Sequence, residues 1–314
     1  MKVLEICLDE NTGNHTLEYV LRQKLGLTRR QISQAKFREQ GICIDGCQQR
    51  VSYVGRPGQV LTVCLEEDRP DTGRVAPVKG SLEILYEDQD IFAVNKPPGM
   101  PTHPGRGHYK DSLANLIAGY YQEKESPCLV RAVGRLDSDT SGVLVFGKNQ
   151  AAAARLALQK EEGRYEKDYL TLIQGRLEGE GFIREPIGKA LGEKQKMQVS
   201  LQGKPAVTWY QSQKIFCDRE AFDREVSLVL CRIFTGRTHQ IRVHMAWKGH
   251  PLLGDKLYGD GKNPLFPGLG LHCFRAVFYQ PFTGAKIQVQ AEPRHWPQEL
   301  LWEIKEIRER CKEK

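Results

Sequence analysis

No apolar run in this 314-residue chain is long enough to cross a membrane as a helix. Its first residues, MKVLEICLDENTGN, turn polar too soon for a secretory signal. No C-x-x-C pair occurs. The nine cysteines (Cys7, Cys43, Cys47, Cys64, Cys128, Cys217, Cys231, Cys273 and Cys311) are odd in number and scattered. That predicts reduced thiols in a cytoplasmic protein, not a disulfide frame or a zinc site. Cys43 and Cys47 flank Asp45-Gly46, which reads as a hairpin turn rather than a metal clip. There is no G-x-x-x-x-G-K-[ST] loop, no G-x-G-x-x-G after a strand, no H-E-x-x-H and no G-x-S-x-G elbow. His239 and His244 are five apart, the wrong interval for a helical zinc pair, and His103 and His108 read as members of a polar Gly-Arg-Gly loop. The expectation is chemistry by side chains alone, without cofactor or metal.

What the chain does have is a mild excess of cations, 46 Lys and Arg against 39 Asp and Glu, for a net charge of +7. This suits a polyanionic partner without demanding one. The distribution says more. Residues 1–68 hold nine basic and nine acidic side chains, yet Arg22, Lys24, Arg29, Arg30, Lys36 and Arg38 occupy a window with no acidic residue. Within it, Thr16 can cap a helix that buries Leu17, Val20, Leu21 and Leu25. Thr28 can cap a second that buries Ile32 and Ala35. Ile42 and Ile44 then alternate into the Asp45-Gly46 turn, and Gln59–Val63 returns as a strand.

Residues 69–80 lie in a Pro-, Gly- and charge-rich stretch that reads as a linker, so residues 81–314 form a second domain. Strand-like runs there include Leu82–Leu85, Ile91–Val94, Val143–Phe146, Leu170–Ile173, Val226–Ile233 and Ile287–Val289. Helices are expected over Ser112–Tyr121, Asn149–Lys160, Thr238–Lys248 and Pro297–Lys312. Strands outnumber helices and come in hairpin-like neighbours, which predicts an α+β fold with a mixed, largely antiparallel sheet.

Four stretches can carry chemistry. Arg135-Leu136-Asp137-Ser138-Asp139-Thr140-Ser141-Gly142 puts charges at the doorstep of a buried strand, with Thr140 and Ser141 read as turn-makers. A stiff loop from Val94 to His108 holds Lys96, Arg106 and two His. Tyr169 opens a strand. Residues 234–260 include a helix capped by Thr238, on which Arg242 lies only about 100° round from the buried Ile241. An Arg near a buried face needs a carboxylate, and Asp137 is the candidate.

Taken together, these stretches resemble the RluA family of RNA pseudouridine synthases. The family's R-L-D-x-x-T-S-G pattern is Arg135–Gly142. Its G-R-T-H-Q-I-R-V-H run is Gly236–His244, followed by Gly249-His250-Pro251, Gly254-Asp255 and Tyr258-Gly259. Its N-K-P loop is Asn95-Lys96-Pro97, and its K-x-Y-L is Lys167–Leu170. Residues 12–66 resemble an S4 RNA-binding domain. The resemblance implies a cleft in which uridine in RNA becomes pseudouridine without oxidation, hydrolysis or cofactor. It assigns Asp137 as the catalytic residue, whether nucleophile or base. Tyr169 becomes the aromatic that packs on the extruded base, and Arg242 the salt-bridge partner of Asp137. RNA contacts are expected from Arg135, Lys96 and Arg106, and from Arg29, Arg30 and Lys36 of the S4-like part. Large-subunit ribosomal RNA is the first expected substrate and transfer RNA the second, with a monomeric enzyme. A non-catalytic RNA binder and a base-removing glycosidase are the rival readings. The residue before R-L-D, usually His in the family, is Gly134 here.

Overall fold

Thr28 shows how locally the first elements are specified. Its hydroxyl accepts from the Gln31 N–H at 3.2 Å, and the Gln31 side chain accepts from the Thr28 N–H at 2.8 Å, a reciprocal cap that starts a helix. The computed structural model describes residues 2–65, 75–105, 107–125, 131–190, 192, 193, 196–217, 224–261, 266 and 268–312. In the first part, β1 (Lys2–Cys7), α1 (Leu17–Gln23), α2 (Arg29–Lys36), β2 (Ile42–Ile44), β3 (Cys47–Gln48) and β4 (Val60–Leu65) follow in order. Thr16 caps α1 as its position predicted. Asp45 and Gly46 have φ of 49° and 79°, the left-handed pair that a two-residue hairpin turn requires. The strands pair as β1-β4-β2-β3 around a core that includes Leu4, Leu17, Leu21, Ile32 and Ile42. Strand β1 was not among the expected elements, although Leu4 points in between the exposed Val3 and Glu5.

The second part runs β5 (Glu83–Glu87), β6 (Ile91–Lys96), α3 (Leu113–Glu123), β7 (Arg131–Ala132), β8 (Ser141–Gly147), α4 (Gln150–Glu161), β9 (Glu166–Gln174) and β10 (Glu180–Ile183). It continues with β11 (Ile187–Lys189), β12 (Met197–Val199), β13 (Thr208–Phe216), β14 (Val226–Ile233), α5 (Gln240–Trp247), β15 (Leu271–Tyr279), β16 (Lys286–Gln290) and α6 (Gln298–Lys312). Ten strands form one sheet with the main path β10-β13-β14-β9-β15-β8-β6-β5, and only the β15–β8 pairing is parallel. The α+β class and the mixed, largely antiparallel sheet are as expected. Of the linker expected over 69–80, residues 69–74 lie outside the described residues. Residues 75–80 carry no helix or strand, and Val78 N–H donates to the Asn115 carbonyl of α3 at 3.0 Å.

The central strand β9 is buried along almost its whole length, so its two faces are told apart by what they touch. Leu170 and Leu172 pack with Leu300, Ile304 and Ile307 of α6. Tyr169 and Ile173 face the other way, into the cluster that holds Ile241 and Met245 of α5. Asp168 locks the middle of the sheet. It is 1% exposed and takes guanidinium bonds from both neighbouring strands: Arg232 Nε of β14 at 2.6 Å and Arg275 Nε of β15 at 2.8 Å. Removing a buried carboxylate of this kind strands its cations, at a cost of about 3–5 kcal/mol. The two parts of the chain meet on α4. There Arg155 Nε donates to the Leu25 carbonyl at 2.7 Å and Nη1 to the Pro281 carbonyl at 2.7 Å.

Candidate active site

The loop that enters β8 is pinned from three sides. The Thr140 N–H closes a turn onto the Asp137 carbonyl at 3.1 Å. The Thr102 hydroxyl donates to the Leu136 carbonyl at 3.3 Å. Lys96 supplies the third strut: its amino group donates to the carbonyls of Ser138 (2.7 Å), Met100 (2.7 Å) and Pro97 (2.8 Å). This corrects the expectation that Lys96 meets RNA. It is 0% exposed, and its donors are turned onto its own backbone. Burial lowers its pKa to about 7, against the pull of Asp139 and Asp137. Ser141 and Gly142 then fasten the strand. The Ser141 hydroxyl donates to His272 Nδ1 at 2.8 Å, because His272 Nε2–H is given to the Ala291 carbonyl at 3.0 Å. Gly142 has φ of 110°, and a Cβ there would stand 2.2 Å from the Cys273 carbonyl oxygen, so only glycine fits. The Thr140 hydroxyl, by contrast, is buried without a hydrogen-bond partner among the described residues.

The Q-I-R-V-H run is explained by α5. Gln240 and His244 lie one turn apart and share the Thr208 hydroxyl of β13. Gln240 Nε2 donates to it at 3.0 Å, and it donates to His244 Nδ1 at 2.9 Å. His244 Nε2–H goes to the Glu185 carbonyl at 2.9 Å, and burial keeps this imidazole below its ordinary pKa. Thus two side chains bolt the helix down and Arg242 between them is aimed elsewhere. The helix is not capped by Thr238. Its N-cap is His239, in a left-handed conformation (φ 56°), and the Gln240 side chain accepts from the Thr235 hydroxyl at 2.7 Å and the Arg237 N–H at 3.0 Å.

Arg242 does stand beside Asp137, but Asp137 is not its main partner. Arg242 Nε and Nη2 bind Asp255 in a fork at 2.7 and 2.8 Å, while Nη1 reaches only to 3.8 Å from Asp137 Oδ2. Asp255 is itself held by the N–H groups of Leu257 and Tyr258, at 2.9 and 3.1 Å. Burial would raise its pKa, but Arg242 and these donors outweigh that and hold it below the ordinary carboxylate value. The guanidinium also lies over the Tyr258 ring, 5.1 Å from its centroid. His239 approaches Asp137 from the other side. Its Nδ1 meets the Tyr258 hydroxyl at 2.8 Å, and its Nε2 stands 3.9 Å from Asp137 Oδ2.

Asp137 and His239 line a cleft of about 330 Å³ with Arg135 and Tyr169 on its walls, and Arg242, Asp255 and Tyr258 stand behind that lining. Tyr169 is 5% exposed, and burial followed by the Cys273 thiol pushes its phenol well above the usual pKa, so the hydroxyl keeps its proton. Arg135 is exposed at the rim. Gly134 beside it has φ of 81°, and a Cβ there would come within 3.3 Å of Lys160 Nζ. A histidine in this place would meet both a left-handed backbone and an ammonium group. Arg29, Arg30 and Lys36 are exposed on α2 and do not line the cleft. Arg106 lies outside the described residues. Among the described residues no cluster of His, Cys, Asp and Glu could hold a metal, and no helix is long and apolar enough to cross a membrane.

A carboxylate beside a fixed guanidinium, in a cleft that a buried phenol and an exposed arginine also line, is suited to attack on a sugar or to proton removal from it. Comparison with known proteins names the chemistry. A family model described as RNA pseudouridylate synthase matches residues 90–247. The chain is 36% identical over 289 residues to the uncharacterized RNA pseudouridine synthase YhcT of Bacillus subtilis (strain 168), covering 92% of this chain and 93% of that one. It is 30% identical over 312 residues to ribosomal large subunit pseudouridine synthase D of Nitrosomonas europaea, covering 96% and 83%. Among solved structures, human RNA pseudouridylate synthase domain containing 1 aligns with a TM-score of 0.57 at 28% identity, over 70% of this chain and 88% of that one. The chain belongs to the RNA pseudouridine synthase family of the RluA type, and is an isomerase of uridine in RNA.

Asp255, His239 and Tyr258 were quoted in the motif runs but given no role from sequence. The signal was the need of Arg242 for an anion, which the Asp in Gly254-Asp255 meets. The strut role of Lys96 yields a direct expectation. Lys96→Met should slow turnover by loosening the Asp137 loop, and leave the salt dependence of RNA binding unchanged. Titrating RNA at several salt concentrations checks this. A slope of log K against log salt that falls by about one would put Lys96 on a phosphate after all.

Proposed function

We propose that Asp137 is the reacting carboxylate and that the enzyme modifies large-subunit ribosomal RNA. One observation carries the first part. Two acidic residues line the cleft, and Glu166 is paired with Arg232 at 3.1 Å. Asp137, with an 18% exposed side chain, has the Arg242 guanidinium at 3.8 Å and the His239 imidazole at 3.9 Å, both beyond hydrogen-bond range. With no close salt bridge, its oxygens stay open to substrate. Such a carboxylate can attack the sugar at C1′ or remove a sugar proton, and either route lets the base leave N1 and rejoin through C5. The target base has to leave its stack to reach the cleft. Arg135 at the rim takes a phosphate or a base edge there, and Tyr169 packs on the extruded ring. Arg242 orients Asp137 from behind.

The ribosomal assignment is supported by the relative of Nitrosomonas europaea, whose name specifies the large ribosomal subunit. Transfer RNA is the second reading. Residues 1–68 act as an S4-like RNA-binding domain, with Arg29, Arg30 and Lys36 on phosphates; their exposure on one short helix supports this. The enzyme works as a cytoplasmic monomer.

RNA carrying tritium at uridine C5 tests the catalytic assignment, because forming a bond at C5 expels that hydrogen. Ribosomal RNA should give more release than transfer RNA, and Asp137→Ala should abolish release while RNA still binds. Turnover surviving in that variant would sink the assignment. A base-removing enzyme would instead yield free uracil. For the N-terminal domain, replacing Arg29, Arg30 and Lys36 with Gln should lower the salt slope of RNA binding by up to about one per lost phosphate contact. An unchanged slope would mean that this face does not touch RNA.

A further inference from the structure

Strand β9 presents a second polar side chain to the cleft. Lys167 lies two residues before Tyr169, so the pleat turns both the same way, and both line the cavity. Lys167 is only 7% exposed, yet no carboxylate balances it. The nearby acids are committed: Asp168 to Arg232 and Arg275, and Glu166 to Arg232. Its ammonium has neither a hydrogen bond nor an ion pair among the described residues, and the Tyr165 ring centroid is 5.8 Å from Nζ. Burial lowers its pKa, with the Cys273 thiol opposing and the like charge of Lys160 adding to the fall. Tyr165 repeats the pattern. It also lines the cleft, and its buried hydroxyl has no hydrogen-bond partner among the described residues.

An ammonium offers three donors and no acceptor, and burying one unsatisfied is costly. The Lys167 ammonium reaches the cleft, so a ligand seated against this wall gains if it brings acceptor oxygens to it and to the Tyr165 hydroxyl. A phosphate belongs at the rim, where Arg135 and Lys160 are exposed. The buried wall beside Tyr169 has to take the base. We propose that Lys167, with the Tyr165 hydroxyl next to it, receives the polar edge of the extruded uracil, and that its ammonium donates to a ring carbonyl oxygen and stabilises the negative charge that gathers there as the glycosidic bond breaks. This rests on the reading of the Asp137 cleft as the site of isomerisation. In that step the C1′–N1 bond breaks and its electron pair stays on the uracil ring. A C1′–C5 bond then forms, the C5 proton leaves, and N1 gains one, so the product is an isomer. Lys167 keeps its proton throughout. Made to O4, the contact favours uracil over cytosine, which carries an amino group at that position.

Target RNA with uridine or 5-fluorouridine at the modified position provides the test, read as single-turnover rates. Fluorine blocks loss of the C5 proton but not cleavage of the C1′–N1 bond or closure to C5. Lys167→Met should slow the rearrangement of both substrates by a similar factor, about 100- to 1,000-fold, with RNA affinity almost unchanged. Lys167→Arg should recover part of the rate. Uridine slowed while 5-fluorouridine rearranges normally would overturn the proposal, placing Lys167 at the C5 proton. So would an unchanged rate, or weaker binding with a smaller salt slope and a normal rate. Lys167→Gln, with thermal unfolding of each variant, separates a folding defect from lost chemistry. Wild-type enzyme and Asp137→Ala run alongside: no tritium release by the first, or retained release by the second, defeats the underlying reading and the proposal with it.

Discussion

Arg242 is 7% exposed and carries its charge on the inner side of a helix, so the fold has to supply an anion for it. That anion is Asp255, itself 1% exposed and bound to the guanidinium by two parallel bonds. The pair satisfies one edge of the fork and leaves Nη1 facing Asp137 across 3.8 Å. Had Asp137 been the sole counter-ion, a close salt bridge would have occupied its oxygens. Dividing the task between two carboxylates lets one neutralise the guanidinium while the other is left without a close salt bridge.

Much of what surrounds this pair is scaffold written into the same short motifs. Gln240 and His244 bolt α5 to Thr208, and Ser141 ties β8 to His272. Lys96 holds the Asp137 loop by three carbonyls. Conspicuous polar residues thus fall into two groups. Those with satisfied hydrogen bonds build the frame. Asp137, Lys167 and the Tyr165 hydroxyl are open toward the cleft, where an RNA base would complete their bonding.

The elements with local signals were legible in the chain. Thr16 and Thr28 cap the helices expected from them, the helix expected over Asn149–Lys160 forms at Gln150–Glu161, and Val226–Ile233 is a strand over the range read from its apolar run. Strands β13 and β15 were not. Thr208–Phe216 contains Gln and Lys, and Leu271–Tyr279 contains His272 and Arg275, which look wrong for a buried strand. Both polar residues of β15 are neutralised by partners far along the chain, Ser141 and Asp168, which no local pattern announces. The site was legible in its parts but not in its pairing. Asp137 and Tyr169 line one cleft and Arg242 stands beside Asp137, whereas the choice of Asp255 over Asp137 depends on a loop closing 13 residues after Arg242. Lys96 misled because a lysine in a Pro- and Gly-rich loop reads as exposed, and only the fold shows that loop wrapped around its amino group.

If Arg242 orients Asp137 as proposed, then Asp255, which holds the guanidinium, acts on the reaction through Arg242. A double-mutant cycle on the single-turnover rate, with Asp255→Asn, Arg242→Lys and the two combined, measures that coupling directly. If the pair works as one unit, the double variant should be scarcely slower than either single variant. Losses that multiply in full would contradict the account, because Asp255 and Arg242 would then serve the reaction independently.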